Sequence, residues 1–179
     1  MQKLPDTELE IMQVIWKENR VLSTSEIKEK LERDGFAVAG GVFSEEKMGP
    51  LPQAILDEVF SFADVVLVEA DGSKRMPLKM PRQGEPVLPE TCDFLVTVAG
   101  LSALEQPWEQ VCHRFALVSS MFSGKTVAEG DIFHLLQAGY SALWDEIQGC
   151  VFLNQAEVVG WDRAERIAAD FSVPCLWGS

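Results

Sequence analysis

Two histidines and no CxxC pair in 179 residues leave little with which to build a structural zinc site. The four cysteines, Cys92, Cys112, Cys150 and Cys175, are widely spaced. Three lie in or beside apolar runs, where a cysteine acts as a small buried hydrophobe. No apolar stretch is long enough to span a bilayer, and the polar, acidic opening does not resemble a signal peptide, so the expected location is the cytoplasm. Basic residues are also scarce. Fifteen Lys and Arg against 28 Asp and Glu give a net charge of −13, which argues against DNA and against an anionic membrane. No serine or cysteine has a recognisable base partner, so a catalyst working through a nucleophile has no support.

What is present divides in two. Residues 3–34 carry two capping boxes, Thr7 with Glu10 and Ser23 with Glu26. Leu9, Met12 and Trp16, then Ile27 and Leu31, recur at helical spacing, and Gly35 can close the second helix. From residue 36 the texture becomes alternating strand and helix. "DVVLVEA", "DFLVTVAG" and "CVFLNQ" are continuous apolar runs that predict strands buried on both faces, and "VPCLWG" predicts a last short strand. "PLPQAILDEVFSF", "VAEGDIFHLLQAGYSALWDEI" and "WDRAERIAADF" predict helices. The result is an α/β class with a mostly parallel sheet covered on both faces, residues 36–179, preceded by a two-helix segment, residues 1–35.

In such sheets the crevice lies beyond the carboxyl ends of the strands. Glu69 and Asp71 are expected at one such end and Asn154 at another. An apolar strand ending in an acid has the form of a Walker-B segment, so Asp71 is the candidate Mg²⁺ ligand, with Gly72 for a sharp turn and Ser73 adding a hydroxyl. Lys74, Arg75, Lys79 and Arg82 follow and can offset anionic charge. A solvated turn with surface lysines explains the same letters. "FLNQAE" is similar to the NKxD element that reads guanine, with Gln155 in place of Lys and Glu157 in place of Asp; helix capping is the bland alternative. "SSMFSGKT" ends like a P-loop but lacks its first glycine and preceding strand. Thr126 with Glu129 is expected to cap the next helix instead. His113 and Arg114 can contact an anion.

The blocks "LVEADGSKRMPLKMPRQGEPVLPE", "VTVAGLSALEQPWEQVCHR" and "VFLNQAE" together resemble the accessory family of selenium-dependent molybdenum hydroxylases, often called YqeC, over about residues 40–179. The resemblance implies a P-loop-like three-layer α/β domain that binds ATP or GTP with Mg²⁺ and serves maturation of a molybdenum hydroxylase. The implied partners are that enzyme or its cofactor-maturation proteins. It points at Glu69, Asp71, Gly72, Ser73, Lys79, Glu85, His113, Arg114 and Asn154. Family members open with a glycine-rich P-loop. None stands before Gly40 here, so the domain reads as incomplete and nucleotide binding as impaired. Residues 3–34 instead resemble the first two helices of a penicillinase-repressor-type winged helix, without its recognition helix. The chain therefore reads as two pieces joined near Gly35–Gly40, by fusion, by deletion or by an error in the gene boundary. A DNA-binding repressor and a non-catalytic scaffold are the alternative functions. A sheet face left uncovered would favour homo-oligomers.

Overall fold

A computed structural model describes residues 24–35, 41–44 and 47–179. The first predicted helix, near residues 7–19, lies outside the described residues, as does "FAVAG". The chain divides into two compact units, Met1–Leu67 and Val68–Ser179, so the change of texture at Gly35 falls inside the first unit.

In the first unit, helix α1 (Thr24–Asp34) forms as its Ile/Leu spacing predicts. Gly35 follows at φ 77°, the left-handed conformation in which glycine ends a helix without a Cβ clash. Strands β1 (Gly41–Ser44) and β2 (Lys47–Gly49) pair antiparallel, a hairpin that the sequence pattern did not signal. Helix α2 (Gln53–Phe62) starts from Pro52, whose carbonyl accepts from Ile55 and Leu56; Val59 is buried against Leu51, Ile55 and Phe62.

The second unit is built on a parallel three-stranded sheet. Strand β4 (Leu95–Gly100) pairs with β6 (Gly149–Asn154), which pairs with β7 (Cys175–Trp177). A separate parallel pair joins β3 (Leu78–Lys79) to β5 (Cys112–His113). Three short elements complete the order: α3 (Trp108–Val111), α5 (Ala156–Val159) and α6 (Trp161–Ala168), with the long α4 (Glu129–Glu146) between β5 and β6. The α/β class and the mostly parallel pairing agree with the sequence pattern.

One face of the main sheet is packed. Ala99, Val151 and Leu153 share a core with Ile132, Leu135 and Leu136 of α4 and with Ala164 and Ile167 of α6. The Trp144 indole N–H donates to Thr97 Oγ1 at 3.0 Å, which satisfies both groups beneath α4. The expectation of burial on both faces does not hold. Val98, Phe152 and Leu176 lie in register across the three strands on the other face. Val98 is 57% and Leu176 56% exposed there.

Two further expectations are corrected. "DVVLVEA" carries no strand pairing among the described residues, and Val65 and Leu67 are exposed. A strand needs a ladder partner for its backbone N–H and C=O groups, and no neighbouring strand offers one here. Thr126 does not cap α4. The helix begins two residues later, with the Ala128 N–H donating to Asp131 Oδ2 at 2.8 Å, and Thr126 forms an isolated bridge to Pro107. Asp131 reaches back from the third helical position and satisfies the N–H of Ala128, one of the orphan donors at the start of the helix. No helix among the described residues is long and apolar enough to cross a membrane.

Candidate functional site

The loop from Asp71 to Glu85 is held against β5 and α4 by charge. Lys79 on β3 is buried, and its ammonium has three acceptors: the Asp71 carboxylate, Glu85 Oε2 at 2.9 Å and the Gly72 carbonyl at 2.9 Å. Those three acceptors match its three hydrogens. Arg114 engages Glu85 through both terminal nitrogens, one of them at 3.0 Å from Oε1, and the Arg82 Nε lies 3.0 Å from the same oxygen. Arg114 adopts a left-handed backbone, φ 65°, directly after β5, and this turn follows the Lys79↔His113 pairing. The parallel register therefore sets the bidentate contact.

Tyr140, on α4, donates from its hydroxyl to Asp71 Oδ2 at 3.3 Å. It can reach because Gly139 lets the helix approach the loop: a Cβ at that position would fall 2.8 Å from Pro81 Cδ. Burial, then the nearby Glu85 charge, pushes the Tyr140 phenol up to about 12. Hydrogen bonds from Arg114 and Lys79 hold the Glu85 carboxyl down to about 2. His113 is pushed below its ordinary value, first by burial and then by the positive charges of Arg114, Lys74 and Lys79.

The structure thus brings together Asp71, Gly72, Lys79, Glu85, His113 and Arg114 of the residues that sequence singled out. Glu69 is exposed, with its carboxylate near Gly72, where an added Cβ would meet it at 3.8 Å. The Ser73 carbonyl accepts from the Met76 N–H at 3.1 Å and closes a turn through Lys74 and Arg75, both at positive φ. Asn154 is elsewhere, at the end of β6, where Oδ1 accepts the Gln155 N–H at 2.9 Å, and Glu157 is exposed on α5. Tyr140 was missed by sequence reading. Its signal was a glycine inside a helical pattern, which marks close approach, followed by the chain's sole tyrosine.

Lys79 already occupies the space between the Asp71 and Glu85 carboxylates, and no group of three or more His, Cys, Asp or Glu among the described residues is arranged to hold a metal. The "SGKT" loop is exposed and follows a short 3₁₀ turn rather than a strand.

A sequence profile described as "YqeC protein" matches residues 3–116. That match takes in residues 3–34, which the sequence pattern sets apart from the family, and reaches Arg114, but ends before Tyr140 and Asn154. The chain is similar to "Uncharacterized protein YqeC" of Escherichia coli (strain K12), 32% identical over 91 residues, which is 49% of this chain and 36% of that protein. The match spans about a third of that relative's length. No solved structure matches. With its match over more than half of its length, this chain belongs to the YqeC family.

Proposed function

We propose that this chain is a cytoplasmic accessory protein in the maturation of a selenium-dependent molybdenum hydroxylase, acting as a binding module that holds an anionic ligand of the nucleotide class. The observation that carries the ligand reading is the local excess of positive charge. In a chain of net charge −13, Lys79, Arg82 and Arg114 converge on Asp71 and Glu85, with Lys74 close enough to act on His113. Lys79 is fully engaged inside the protein. The groups left to meet phosphate are the N–H groups of Arg114 that Glu85 does not take and the terminal nitrogens of the exposed Arg82. Mg²⁺ enters on this reading with the phosphates, because Asp71 is paired with Lys79 and hydrogen-bonded by Tyr140.

The partner is the hydroxylase or another protein of its maturation. This rests on family membership alone. The repressor alternative gains nothing from α1, which carries four acidic residues against three basic ones.

The test is a tryptophan-fluorescence melt of the full chain with millimolar Mg²⁺ and ATP, GTP or CTP in turn. A ligand present at about 100 times its Kd adds roughly 2.7 kcal/mol, a shift of several degrees. The expected result is a shift in the wild type that Arg114→Ala removes. A cooperative melt that no nucleotide moves would leave only a scaffold.

A further inference from the structure

Beside the charged cluster lies a second polar group that the anion reading does not use. Pro77, which precedes β3, accepts a hydrogen bond from the Gly100 N–H at 2.8 Å, so the loop carrying Lys79 abuts the carboxyl end of β4. Gly100 is where three segments meet. A Cβ there would stand 2.5 Å from Gln155 Oε1 and 2.7 Å from Pro77 Cβ, so only glycine lets the Gln155 side chain lie across the end of the sheet.

Gln155 is held there in two ways. Its backbone is left-handed, φ 64°, a conformation that costs a non-glycine residue energy, and its N–H is capped by Asn154 Oδ1 at 2.9 Å. Its Oε1 accepts the Ser102 hydroxyl at 2.6 Å. Both amide oxygens, of Asn154 and of Gln155, are thereby used internally. Neither amide nitrogen has a partner among the described residues, so this end of the sheet offers hydrogen-bond donors. All three residues are half-buried, at the carboxyl ends of β4 and β6, where open parallel sheets take their ligands.

We propose that Asn154 and Gln155, the latter held in place by Ser102, form the specificity half of the site, presenting their two amide nitrogens as donors to a base with two neighbouring acceptors. This rests on the anion-binding reading above and adds the ligand's other end. Guanine offers O6 beside N7, and cytosine offers N3 beside O2. Adenine sets the N6 amino donor next to N7 and faces the amides with a like group. The Gln155 that breaks the NKxD pattern is then the working residue, and the exposed Glu157 takes no part.

The experiment is a set of binding titrations of the full chain with Mg²⁺ and inorganic pyrophosphate, GTP, CTP or ATP. GTP and CTP are expected to bind about 5- to 150-fold more tightly than ATP, the range of one well-placed pair of base contacts. Gln155→Glu keeps the oxygen that meets Ser102 but turns the donor into an acceptor. It should abolish or invert that ratio, and Ser102→Ala should weaken it. A pyrophosphate signal with three indistinguishable nucleotides would overturn this proposal and leave the anion site standing. So would a preference that survives Gln155→Glu. Failure of pyrophosphate and all nucleotides to bind would overturn both.

Discussion

The runs "VVLVEA" and "LVTVAG" have nearly the same texture, yet only the second is a strand. Residues 95–100 pair along their full length with β6 and lie under α4, whereas residues 65–70 have no ladder among the described residues, and the boundary between the two compact units falls within them. Valine-rich sequence fits a pleated, half-buried surface but does not create one. The first run is held at Val66, which packs against the Val59 cluster, and at its end, where the Ala70 carbonyl accepts from Val87 at 3.2 Å and Asp71 meets Lys79. Charge does there what a ladder does for β4, and that is where the candidate site sits.

The sharpest way to break the comparison is to make the same change in both runs. Leu95 is 8% and Leu67 92% exposed. Leu95→Ala should cost about 2–4 kcal/mol in a denaturant melt, while Leu67→Ala should stay within about 0.5 kcal/mol. Equal costs would mean that residues 65–70 are packed after all.

Next in size is the charge that anchors the first run. Glu85→Gln leaves Lys79 and Arg114 short of a counter-charge, and breaking such a buried pair costs about 3 kcal/mol. Thermal melting checks the loss, and amide exchange should rise in residues 68–76 but not in 95–100.

The pH dependence sharpens this further. The Glu85 carboxyl is held at about 2, below its unfolded value of 4.5, so its stabilisation is complete above pH 4.5 and is lost as pH falls towards 2. His113 is also lowered, by burial, so stability falls as pH drops below its ordinary 6.5 and the ring must charge. Urea midpoints from pH 7 to pH 3 should show both limbs, with Glu85→Gln flattening the acid one.

The smallest effect concerns β4 alone. Thr97→Val orphans the Trp144 indole N–H under α4 and should cost about 1–2 kcal/mol. The fluorescence of the folded state should shift with it.

How much of this was legible follows from range. β4, β6, α4 and α6 announce themselves by local pattern, since apolar period and length suffice for elements that find partners. The missing strand at 65–70 was not legible, because pairing is a property of a neighbour. The start of α4 went to Ala128 and Asp131 because two capping patterns overlap by two residues and the chain can satisfy one. Within the site, Asp71, Lys79 and Arg114 were legible from local pattern, and Glu85 through resemblance. Their pairing with one another was not, since Arg114 meets Glu85 across 29 residues and Tyr140 meets Asp71 across 69.

On the proposal above, an anion binds at the charged cluster of Lys79, Arg82, Glu85 and Arg114. Hydrogen–deuterium exchange of the full chain, with and without Mg²⁺ and tripolyphosphate, locates the binding directly. Protection confined to residues 71–85 and 112–114 is the predicted result. Protection centred on the "SGKT" loop at 123–126, or none anywhere at saturating tripolyphosphate, would contradict it.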